Sequence, residues 1–65
     1  SRKMDSRKIE ERVTLICELG CVRVREVMNA LQQGEVPPET AGSNAEERQQ
    51  ILRELAAIMA VYDAR

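Results

Sequence analysis

The chain contains no histidine, phenylalanine or tryptophan, and Tyr62 is its only aromatic residue. Without large rings, a core must be assembled from Ile, Leu, Val, Met, Ala and Cys. Without histidine there is no imidazole to act as a general base near neutral pH, and no imidazole ligand for zinc. Glycine is scarce too. Gly20, Gly34 and Gly42 stand alone, so no glycine-rich loop is present to cradle a phosphate.

The remaining reactive side chains do not form a catalytic pattern. Glu10–Glu11 and Glu46–Glu47 are sequence neighbours, and neighbours on a helix diverge by about 100°. No nucleophile is spaced for pairing with a base. Cys17 and Cys21 are four residues apart, which is not a recognised zinc spacing. A disulfide between such positions would be strained in an intact helix. They are expected to be small, reduced side chains with no metal. The chain is therefore read as non-enzymatic, with no cofactor.

Net charge is −1, from 10 basic and 11 acidic residues, so no global field draws the molecule onto nucleic acid. The charges are uneven: residues 1–33 carry seven basic and five acidic side chains, and residues 34–65 carry three and six. The longest apolar run is too short to span a bilayer, and no secretory signal is visible. A cytoplasmic protein with no membrane association is expected.

What the chain does have is helical periodicity. Ile9, Val13, Ile16, Gly20, Val24, Val27 and Leu31 recur at steps of three and four, a mean of about 3.7 residues. This predicts one helix over about 6–33, with Gly20 on its buried seam. Residues 21–25 are Cys-Val-Arg-Val-Arg, with no capping side chain to start a new helix after the glycine. The expected role of Gly20 is thus close approach of a neighbouring helix. Residues 34–43, "GEVPPETAGS", read as a loop, with Gly34 just past the helix end and Pro37–Pro38 barring continuation. A second helix follows over about 44–63. It is capped by Ser43 with Glu46, or by Asn44 with Glu47 one residue later. Its predicted seam is Ile51, Leu55, Ile58 and Tyr62.

The resulting fold class is all-α: a single domain over residues 1–65, built as a long helical hairpin. Residues 1–5 are set aside as a disordered tail or a cloning remnant. Sixty-five residues bury only about 60% of the surface the unfolded chain exposes, so a partner is expected to supply stability. Leu15, Leu19 and Val22 form a second ridge beside the first seam, and Leu52, Ala56 and Met59 form another beside the second. Pairing two hairpins into a four-helix homodimer would bury both ridges; the alternative is a three-helix monomer broken at Gly20 that uses the same residues internally.

The expected function is a self-associating module that binds another macromolecule as a protein-interaction or regulatory adaptor. The alternative is a nucleic-acid-binding regulator, with a helix-turn-helix-like break at Gly20. There Arg25, Asn29 and Gln32 would form the reading face, and Arg7, Lys8, Arg12 and Arg23 would contact phosphates or the partner.

Overall fold

The computed structural model describes residues 6–64; the expected tail at residues 1–5 lies outside them. The described residues are all-helical, with no strand. Helix α1 spans Ser6–Glu18, α2 spans Cys21–Gln32 and α3 spans Ala45–Asp63, with a short 3-10 turn at Pro38–Thr40. The loop and the second helix fall where the sequence places them. The first arm does not: it is two helices, broken at Gly20.

Length explains the break. A continuous helix over 6–33 would be about 42 Å long, whereas the 19 residues of α3 extend about 28 Å. One straight arm would carry part of its seam past the end of α3. Folding the arm at Gly20 brings both halves back onto α3, and Ile9, Val13, Ile16, Val24, Val27 and Leu31 all become buried. These six side chains enclose Ile51, Leu55 and Met59, with Cys17, Met28, Leu52 and Ile58 packed at the margin. The seam predicted for the first arm is buried in full except at Gly20. On α3 the stripe is displaced: Met59 is buried, Ile58 is half-buried and Tyr62 is 60% exposed.

The break itself is a matter of backbone conformation. Gly20 has φ 99° and ψ 160°, a region populated almost only by glycine. The Leu19 and Gly20 amides donate to the carbonyls of Ile16 and Cys17 at 3.0 and 3.2 Å, tightening the last turn of α1. The Val24 amide then donates to the Gly20 carbonyl at 3.0 Å and opens α2. No side chain caps α2; Cys21 and Val22 in its first turn are exposed, so their amides can turn to water. A Cβ built on Gly20 would meet nothing within 4 Å. The expectation that Gly20 marks a close helix contact is therefore corrected: it is a corner, exposed to solvent.

The 33–44 connection is organised differently. Past the C-cap Gln33, Gly34 takes φ 82°. Its amide bonds to the Leu31 carbonyl at 3.1 Å, and the Glu35 amide bonds to the Ala30 carbonyl at 2.9 Å. This is a Schellman closure with glycine at the left-handed position. Asn44 caps α3: its side chain accepts from the Glu47 amide, and the Glu47 carboxylate accepts from the Asn44 amide, both at 2.8 Å. The second of the two capping frames in the sequence is the one used. Ser43 is buried instead.

Candidate interaction surfaces

Most of the arginines singled out in the sequence hold the molecule together. Arg12 donates to the carbonyls of Glu39 and Ala41, each at 3.0 Å, and so straps the loop to α1. Arg23 grips the Glu39 carboxylate with two nitrogens at 2.6 and 2.8 Å and reaches Glu26 at 3.3 Å. This fork geometry couples α2 to the same loop residue that Arg12 holds. The Arg23 hydrogen bond holds the Glu39 carboxyl below the usual carboxylate range. Thr40, fully buried, donates to the Pro37 carbonyl at 3.0 Å.

Lys8 pairs with Glu47 at 3.5 Å, joining the first turns of α1 and α3. The Glu47 carboxyl is held below its ordinary value, first by the Asn44 amide and then by Lys8. Glu39 and Glu47 were absent from the sequence-derived site residues as partners for these cations. Glu47 was visible there only as a cap, and no spacing signal links Glu39 to Arg12 or Arg23.

The proposed reading face has a mixed fate. Arg25, Asn29 and Gln32 are all exposed on the outer side of α2. Arg25, however, bonds Asp63 at 2.7 Å, and Asn29 accepts from Gln33 at 3.3 Å. The Asp63 hydrogen bond raises the Arg25 pKa.

The apolar ridge on the first arm stays uncovered. Leu15, Leu19 and Val22 are 58%, 54% and 76% exposed. The break at Gly20 does not fold them inward: Leu19 and Val22 flank the corner and Leu15 lies one turn before it. The second ridge divides: Met59 is buried within its own chain, Leu52 is half-buried against the core, and Ala56 is exposed. Met59 is therefore corrected from an interface residue to a core residue, because its position eight residues after Ile51 keeps it on the buried stripe.

The Arg25–Asp63 pair joins the start of α2 to the last residue of α3. The α1–α2 corner and the end of α3 thus occupy one end of the molecule. Of the exposed large apolar side chains, Leu15, Leu19, Val22, Val61 and Tyr62 lie at or within a turn of that end, and Val36 lies in the loop.

Cys21 is exposed at the corner, and Cys17 is half-buried behind it; both are free thiols. Burial, then the neighbouring Cys21, pushes the Cys17 thiol up. Among the described residues, no three His, Cys, Asp or Glu side chains come together in a way that could hold a metal ion. A shallow depression lined by Arg7, Glu10, Glu11, Thr14, Leu15 and Glu18 runs along α1 alone. No second element closes over it, unlike the concave sites that enclose small molecules. Among the described residues, no helix is long and apolar enough to cross a membrane. Comparison of the chain with family models, curated proteins and solved structures returns no match.

Proposed function

We propose that this protein is a non-catalytic helical module that self-associates and binds another macromolecule, as a protein-interaction or regulatory adaptor. The observation that supports this reading is the cluster of large apolar side chains left at one end of a molecule whose core is otherwise complete. Solvent-facing apolar residues scattered singly are ordinary; a concentration of them marks a contact surface. With three helices per chain, a dimer brings six helices together rather than four. A cytoplasmic setting suits the unpaired thiols of Cys17 and Cys21. Sedimentation velocity across a dilution series tests self-association: a rise in mass with concentration is expected, and a monomer at every concentration overturns it.

The break at Gly20 favours the nucleic-acid reading in one respect, since it supplies the corner that reading requires. The charges count against it. Arg12, Arg23 and Arg25 bond within the chain, Glu26 stands beside Arg23, and Glu10, Glu11 and Glu18 share α1 with the basic residues. Counterion release needs a concentrated basic surface. Salt-dependent retention on immobilised DNA or RNA would favour this second reading over the first.

A further inference from the structure

We propose that the self-association surface is the end of the molecule formed by the α1–α2 corner and the last turn of α3, and that its occupant is a second copy of this chain. The proposal rests on the self-association reading above and gives it a location. Leu19 and Val22 supply the apolar centre, and Tyr62 joins them from α3.

The argument for a second copy is charge. A twofold contact sets a patch against itself, so its rim must be self-complementary. A rim of one sign would repel its own copy. Here the rim carries both signs: Glu18 ends α1, and Arg25 and Asp63 stand together. Arg25 and Asp63 are 56% and 55% exposed, so each can face its counterpart on the other copy as well as its neighbour. The bonds of Arg12 and Arg23 are directed instead into the loop or along α2.

The end face is small. The two shorter dimensions of the molecule are 21 and 17 Å. An end face of that size falls short of the roughly 800 Å² per partner of a standard interface. The contact is accordingly a small one, made by copies whose cores are each complete within one chain.

The test is sedimentation velocity with circular dichroism on the whole chain. Val22→Glu and Leu19→Lys are each expected to weaken association by at least about tenfold, equivalent to about 1.4 kcal/mol, with helicity unchanged. Ala56→Glu, on the exposed side of α3, is expected to leave association as it is. Arg25→Asp and Asp63→Arg should each weaken self-pairing, while an equimolar mixture of the two variants should associate more tightly than either alone. Association that survives Val22→Glu and Leu19→Lys, or that is lost in Ala56→Glu, overturns this location while leaving self-association standing. A parent that is monomeric at all concentrations overturns both. If the two corner variants lose helicity, the mixing experiment decides, since a purely intramolecular Arg25–Asp63 pair gives no gain on mixing.

Discussion

The two chain reversals of this molecule solve the same problem by opposite means. Between α1 and α2 the chain turns in two residues, Leu19 and Gly20, with no side-chain hydrogen bond at the start of α2. Between α2 and α3 it takes a longer route, tied down by Arg12, Arg23, Thr40 and the Asn44–Glu47 box. The first reversal depends on a single pair of backbone angles. The second is distributed over many contacts, so no one of them is decisive. The two also differ in what they leave outside. The long loop tucks Pro37 and Thr40 away, whereas the corner exposes Leu19 and Val22. Economy of turn at Gly20 frees a surface, and that surface is where association is proposed.

The comparison breaks most sharply at the corner. Gly20→Ala is expected to cost about 1–3 kcal/mol, the strain of placing a side chain in a glycine-only region. In a domain this small that lowers Tm by about 4–8 °C per kcal/mol. D-alanine at the same position, introduced by chemical synthesis, should cost little, because it favours positive φ and nothing lies within 4 Å. Equal loss from both enantiomers would show that space, rather than backbone angle, governs the corner.

At the other reversal, Asn44→Ala is expected to cost about 1 kcal/mol through loss of the cap. Thermal melts of the two variants, run side by side, rank the corner against the loop. A larger effect at Asn44 would reverse the ranking.

A smaller effect is expected from acid. The Glu39 carboxyl is held below its ordinary value by Arg23, so the folded chain binds that proton less readily than the unfolded chain. Its contribution is present above the unfolded carboxyl pKa of about 4.3 and is lost as pH falls through the lower folded value. Glu39→Gln should therefore lower Tm slightly at pH 7 and converge with the parent at strongly acid pH. A difference that persists undiminished in acid would assign the effect to packing.

The smallest effect on folding is expected at the ridge. Leu19 and Val22 are exposed, and substitutions at exposed sites usually stay within about 0.5 kcal/mol. Leu19→Lys should thus leave the circular dichroism spectrum and Tm of dilute protein unchanged. If a partner supplied the stability, as the short chain led one to expect, helicity and association would be lost together; a buried seam complete within one chain would uncouple them. Joint loss would return the ridge to the core.

Local signals were legible wherever a short-range interaction decides the outcome. Gly34 past a helix end and Pro37–Pro38 in a loop are choices made within a few residues. Asn44 three residues before Glu47 is another, though Ser43–Glu46 has the same spacing, and burial of Ser43 selected between them. The break at Gly20 was concealed by its own periodicity. Ile16 and Val24 are eight residues apart, which fits two steps of a continuous seam as well as a two-residue turn. The absence of a capping side chain argued against a new helix, but glycine supplied the backbone geometry and solvent access removed the need for a cap. The intramolecular partners of the candidate nucleic-acid contacts were not legible for a related reason. Arg12 and Arg23 carry no mark that distinguishes a cation facing solvent from one gripping a loop 27 or 16 residues away.

The sequence by itself determined that this protein is helical, where its loop and last helix lie, and which face of the first arm is apolar, because hydrophobic period and capping chemistry act over one or two turns. Only the tertiary structure decided that the first arm folds at Gly20, that Met59 rather than Tyr62 completes the core, and that Glu39 gathers two arginines. Those outcomes depend on the length of α3 against the length of the arm, and on which distant residues that match of lengths brings into contact.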